Sequence, residues 1–429
     1  MLTRKNFLPA VLPGLLLPAL LFAQTFSGRL TSSFYVYERN DTTGASSSHA
    51  RGYQSFQLDF GKENFSFRTY GQMDNDFSTR LAGDGKVRMY NFFIDWKNIG
   101  KRAEIRLGRQ PIFAGVATST VDGVQIKMRL SNRLRLKGFG GGLLPSDQRL
   151  KLIDDFDKNY MAGGQITYSP NADASLSLSY FNKLQQRSGY NALRADSIGN
   201  VFTQFIEPSN QVFEFASLDA SWSLKKISLY GRTDYDLNDS QLSRAEISIR
   251  SEASRSFTLN GSYTFRSPRL PWNSIFAAFD VEDNHEVEAG VYYRFKPSLR
   301  FYGNAAGIFY SGDESLRLTA GTDFTYGGLN LVHRSGYAGK LIGANASFYY
   351  SLPGDKIMPS AQLSWASYKL DADQSESESL FSGAAGVMIR PWNILTIDSQ
   401  LQYLNNRYYT NDLRFLLRLQ YWFFTKSGL

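Results

Sequence analysis

The sequence contains no cysteine and only three histidines in 429 residues. The first absence excludes a disulfide scaffold, a thiol nucleophile, an iron–sulfur cluster, a cysteine-based zinc site and a lipid-modified cysteine anchor. The second leaves little room for histidine-based catalysis. Proline is scarce, with 13 residues against 36 glycines. Beyond the N-terminal segment no apolar run reaches the ~18 residues of a membrane-spanning helix, and helix-period segments are almost lacking. What the chain has in quantity is aromatic side chains, 25 Tyr and 32 Phe, although its mean hydropathy is negative. An apolar fraction of 42% excludes a disordered chain, which could not bury enough surface to offset its entropy.

Residues 1–23 (MLTRKNFLPAVLPGLLLPALLFA) carry Arg4 and Lys5 ahead of an apolar stretch from Phe7 to Phe22, with Ala23 at the expected cut. This layout predicts a secretory signal peptide, although Leu21 departs from the small-x-small pattern. The alternative, an anchoring helix, is disfavoured by Pro9, Pro13 and Pro18 and by the shortness of the stretch. The expected organisation is a signal at 1–23 and one further unit at 24–429.

That unit alternates with period 2, the signature of strands. In 413–423, Leu413, Phe415, Leu417, Leu419, Tyr421 and Phe423 are separated by residues that include Arg414, Arg418 and Gln420. Ten short turns rich in Gly, Pro, Asn and Ser punctuate the runs, among them GKEN (61–64), NIGK (98–101), SN (131–132) and LPGD (352–355). Longer polar segments alternate with them at 40–51, 74–86, 143–158, 185–210, 267–285 and 371–379. Short turns on one side and long loops on the other describe an all-β fold, a transmembrane antiparallel β-barrel. The turns count to about 22 strands, within a range of 18–24. A β-sandwich or propeller would alternate likewise. Aromatics near strand ends (Trp96, Trp222, Trp422) and the lack of a 40–50-residue repeat favour the barrel.

The stretch IRLGRQPIF (105–113), followed by VDGVQIK (121–127), resembles Gram-negative outer-membrane porin-like barrels, most nearly the alginate-export and specific-porin type. Leu107, Gly108, Arg109 and Gln110, then Asp122, Gly123 and Val124, carry the resemblance. It implies a strand end followed by a loop that turns toward the pore. The strand LRFLLRLQYWFF (413–424) is similar to the aromatic assembly signal of such barrels, but TKSGL follows it. The implied setting is the cell outer membrane, with lipid and the barrel assembly machinery as partners. Energy-coupled receptors carry a long plug ahead of the first strand, whereas alternation here starts within a few residues of the expected cut. Loops are therefore expected to narrow the lumen, with 143–158 and 185–210 the candidates for inward folding.

Strand parity aims the polar residues into the lumen, and bases outnumber acids there, most densely over 101–137. The expected pore-lining, anion-binding residues are Arg106, Arg109, Lys127, Arg129, Arg133, Arg135, Lys137, Arg300 and Arg317. Such a lining favours anions; the competing reading is that the charges pair across neighbouring strands and only keep the wall wet. Arg109 shares the parity of Ile105 and Leu107, which points toward lipid, so a rim position, a bulge or a structural pair with Asp122 is expected. His49 sits in a Ser-rich segment read as a flexible loop, His285 in an acidic segment (DVEDNHEVE), and His333 on a strand without a Ser or Asp neighbour suited to catalysis. No catalytic residue, metal or cofactor is assigned, and the spread of basic charge argues against nucleic acid. The expectation is a passive channel for small hydrophilic, anionic solutes. The alternatives are an exporter of acidic polysaccharide, an outer-membrane hydrolase or a non-conducting scaffold.

Overall fold

A computed structural model describes residues 24–40, 46–78, 84–145, 147–150, 155–187, 189–195, 200–207, 209–268, 282–337, 339–369, 376–407 and 411–426. The expected signal segment lies outside them. Twenty-two antiparallel strands form one sheet that closes on itself, because the first strand, β1 (Thr25–Asn40), pairs with both β2 (Ser46–Lys62) and the last, β24 (Asp412–Lys426). Closure gives every wall strand a neighbour on both sides, the condition for crossing a bilayer with strands. A separate hairpin, β10 (Tyr190–Ala195) with β11 (Val201–Ile206), makes up the rest.

All ten short turns fall between consecutive wall strands. They gather at the end of the barrel where β1 starts and β24 finishes, which by their brevity is the periplasmic end. Outward residues near that end are large and aromatic: Phe65 stacks on Trp96 at 5.3 Å, and Trp222, Trp392 and Tyr421 are all exposed. This is an interfacial belt, where an amphipathic ring meets headgroups. Further along the wall, exposed Leu, Ile, Val and Phe face outward, including Leu107, Ile126, Leu178, Ile247 and Leu318.

Wall strands run to 17 residues in β2, well past the length that crosses a bilayer. The segment expected to loop at 40–51 is therefore mostly strand, with β1 reaching Asn40 and β2 beginning at Ser46. Above the lipid a strand needs no apolar outer face, so the Ser-rich, polar pattern continues as paired strand. His49 accordingly lies on β2, 4% exposed, with Nδ1 2.7 Å from Asp76 Oδ2. It is not in a flexible loop.

Candidate functional site

The lumen is shaped by a departure from regular pairing. β4 (Val87–Ile99) and β5 (Ala103–Ala114) pair only from Trp96↔Ile105 to Phe92↔Arg109, apart from one contact at the turn. Beyond Arg109 the fifth strand leaves the wall. Its partner β6 (Ala117–Arg129) stays bonded to β7 (Leu134–Leu143) only as far as Val121↔Leu143. Residues 110–120 thus form a hairpin tip free of the wall ladder.

That tip folds into the barrel. Ile112, Ala114, Ala117 and Val121 are almost fully buried, and they pack on Phe139 and Leu143 of β7, Met161 of β8 (Asn159–Tyr168), Phe181 of β9 (Ala174–Arg187) and Phe215 of β12 (Ser209–Leu224). These are inward positions on four consecutive wall strands, so the hairpin crosses the strands on their luminal face. Gly115, at φ +59°, sits against Ser179 and Asp219 with no room for a side chain. The Lys137 ammonium donates to the Phe113 carbonyl. Each large apolar residue so buried contributes about 1.5–3 kcal/mol.

The LGRQ and DGV motifs are the hinge of this hairpin. Gly108 adopts φ +115°, and a Cβ there would collide with the Phe92 carbonyl. Gln110, fully buried, donates through Nε2 to the carbonyls of Arg106 (3.2 Å), Gly108 (3.4 Å) and Gly123 (3.0 Å), tying the two strands of the hairpin together at the bend. Gly123 lies so close to β7 that a Cβ on Gly141 would come within 2.6 Å of the Asp122 carbonyl and 2.7 Å of Gly123 Cα. Gly141 is the position on β7 that this approach requires to lack a side chain. Gly123→Val is expected to prevent the bend and to lower the yield of folded barrel sharply, read as heat-modifiable mobility on a gel after refolding. A folded yield equal to the native chain's would show that the close approach is dispensable.

Where β5 leaves, Arg109 closes the tear. Its guanidinium is 1% exposed, and all five N–H groups have acceptors. Nε and Nη2 reach the two Asp122 oxygens, each at 2.7 Å, while Nη1 reaches Met89 O (3.0 Å) and Gln148 O (2.8 Å), and Nη2 also Arg149 O (3.0 Å). The Met89 amide, which would otherwise face the departed strand, donates to Gln148 O at 2.9 Å. Residues 147–149 are thus drawn against the split in the wall rather than projected into the pore. The other loop expected to turn inward carries β10 and β11, whose side chains are exposed (Leu193 75%, Val201 68%). The β5–β6 tip is the segment that packs on the luminal face of the wall through the buried core.

The nine bases expected to line the pore separate into groups. Arg106 lies over the Phe93 ring (4.4 Å) and binds Asp95 through two nitrogens at 2.5 and 3.2 Å. Arg300 on β17 (Leu299–Phe309) pairs with Asp323, and Arg317 on β18 (Glu314–Phe324) with Glu286 and Glu288 at 2.5 and 2.8 Å. Asp95↔Arg106, Arg109↔Asp122 and Arg300↔Asp323 are cross-strand register partners, as is Glu104↔Lys127, whose Nζ and Oε1 are 2.7 Å apart. Pairing across strands thus accounts for these charges. Arg133 is in the exposed 130–133 turn.

Lys127, Arg129, Arg135 and Lys137 come together. With Lys97, Lys101 and Arg102 they line a cleft of about 530 Å³ at the periplasmic end of the lumen, on the wall that the hairpin crosses, and Glu104 is the one acid in the lining. No ion pair joins Lys97, Lys101, Arg102, Arg129 or Arg135 to a carboxylate among the described residues. Parity does not single out Lys101 and Arg102, because they sit in a turn, where alternation stops; Lys97, close to that turn, joins the cleft with them. His285 bonds the Tyr263 hydroxyl (2.9 Å) on a strand, and no grouping of three or more His, Asp or Glu suited to a metal occurs among the described residues.

Barrels of this form are known. The chain superposes on the FrpB iron transporter from Neisseria meningitidis (F3-3 variant) with a TM-score of 0.57 at 10% identity, over 93% of this chain and 81% of that one. It superposes on a mutant of the ferric enterobactin receptor PfeA from Pseudomonas aeruginosa with a TM-score of 0.56 at 10% identity, over 92% and 80%. The fold is that of outer-membrane β-barrels. OccK7 (OpdD) of Pseudomonas aeruginosa aligns over 93% of this chain and 99% of its own at a TM-score of 0.43 and 10% identity. No family model and no curated protein matches the sequence.

Proposed function

We propose that this barrel is a passive outer-membrane channel that prefers small hydrophilic anions. The single observation behind the reading is the basic cleft, in which cations without carboxylate partners face the water path at its periplasmic end. Elsewhere the luminal arginines named above are neutralised by adjacent Asp and Glu, so they contribute little net field. A unit charge interacts with an ion 4 Å away by about 1 kcal/mol in bulk water and by more beside a low-dielectric wall. Salt screens the field of each charge beyond about 8 Å at physiological strength, so clustering within one cleft is what lets the charges act together. The hairpin confines solutes to the space beside that cleft, which turns a local field into selectivity.

Reversing charge in the cleft tests this. Arg129→Glu with Arg135→Glu is expected to lower the anion-to-cation permeability ratio several-fold while leaving the barrel folded, since both side chains are exposed near strand ends. An unchanged ratio in the variant would remove the cleft as the source of selectivity.

A further inference from the structure

The cleft is more than a diffuse positive surface, because four of its cations stand on a grid. Lys127 is the register partner of Lys137, and Arg129 of Arg135, across the β6–β7 ladder. The sequence around the turn, KMRLSNRLRLK, is palindromic in these charges for this reason. Directly opposed side chains have Cβ atoms about 4.5–5.5 Å apart, and residues two apart along a strand are separated by roughly 6.6–6.8 Å. Like charges placed directly opposite are destabilising. Here two such pairs are stacked, with one carboxylate, Glu104, bonded to Lys127 at 2.7 Å. Inward parity places all four on the water side of the wall, away from lipid headgroups. Opposed arginines also occur as single pairs, at Arg244↔Arg266, Arg294↔Arg300 and Arg317↔Arg334. In those, Glu246 holds Arg244, Asp323 holds Arg300 and two carboxylates hold Arg317. The stacking of two pairs, with no carboxylate paired to Arg129 or Arg135 among the described residues, sets the β6–β7 site apart from them.

Resting on the channel reading above, we propose that this quartet is a binding site for a compact multivalent oxyanion of the phosphate type. A monovalent ion relieves the repulsion of one pair at most. A di- or trianion with several oxygens spans both pairs, taking forked bonds from the two guanidinium groups and point-charge contacts from the two ammonium groups. The hairpin above, held by the Lys137 bond to Phe113 O, makes the periplasmic opening the open side of the site.

The test is block of chloride current through the purified full-length protein in planar bilayers, with inorganic phosphate or pyrophosphate added to each side in turn. Pyrophosphate is expected to reduce the current more strongly than phosphate, and at lower concentration from the periplasmic side. In Arg129→Ala with Arg135→Ala the half-blocking concentration should rise about tenfold or more, the loss expected for two charged hydrogen-bonding partners. The variant's remaining chloride current certifies that it has folded and inserted. Anion selectivity without block, or block unaltered in the variant, overturns the oxyanion site and leaves the channel reading standing. Cation selectivity of the native protein overturns both.

Discussion

Cutting back the luminal hairpin is expected to raise single-channel conductance several-fold. Gln110 and Val121 are register partners, so residues 111–120 can be replaced by a two-residue Asn-Gly turn without disturbing the ladder on either side. The wall remains closed, because its pairing stops at Arg109 on one side and at Val121 on the other in the native protein as well. What is lost is the segment that lies across the luminal faces of β7, β8, β9 and β12. The deletion exposes Phe139, Met161, Phe181 and Phe215 to water, so some stability is lost too. Converting Phe181 and Phe215 to Ser in the same variant should restore solubility of that face while keeping the wide pore. Conductance equal to that of the native barrel would mean that the hairpin does not set the width.

The second large effect concerns stability. Arg109→Ala removes five hydrogen bonds at once, two to the Asp122 carboxylate and one each to the Met89, Gln148 and Arg149 carbonyls, of which Gln148 O keeps its bond from the Met89 amide. Breaking one side of a buried ion pair typically costs about 3–5 kcal/mol, because the surviving charge stays desolvated. A loss of that size is expected in the urea midpoint of the barrel in lipid or detergent, followed by tryptophan fluorescence. Arg109→Lys should recover little, since an ammonium has three donors in a different geometry and cannot serve five acceptors. The double variant Arg109→Ala with Asp122→Ala should lose less than Arg109→Ala alone. Additive losses in the two single variants and the double would show that the pair is not coupled, and that the tear is closed by something else.

Much of the fold is readable from the chain. Period-2 alternation and ten short turns lead to twenty-two wall strands, and the same parity assigns Arg106, Lys127, Arg135 and Arg317 to the inner face. The Arg109 anomaly is legible as well: its parity conflicts with its charge, and the resolution is the pairing with Asp122. The inward hairpin is not legible from 110–120 itself, because a hairpin that leaves the wall keeps the same cross-strand pairing and the same alternation. Its trace lies elsewhere, in inward positions that are apolar where water should be. Phe139, Met161, Phe181 and Phe215 each break the polar-inside pattern of their own strand, and together they mark the surface that the hairpin covers. Gly141 marks its path for a second reason, since a Cβ there would meet the backbone of Asp122 and Gly123. Pairing of individual arginines is hidden for a different cause. It depends on register, and a shift of one residue would exchange Asp95 for a neighbour facing the other way.

The most direct measurement of the central claim is the zero-current potential of the native protein in a planar bilayer across a steep KCl gradient. A channel whose selectivity is set by the cleft of Lys127, Arg129, Arg135 and Lys137 gives a stable open conductance and a potential of the sign that chloride preference dictates. A potential of the opposite sign, or a folded barrel that passes no current, would contradict it.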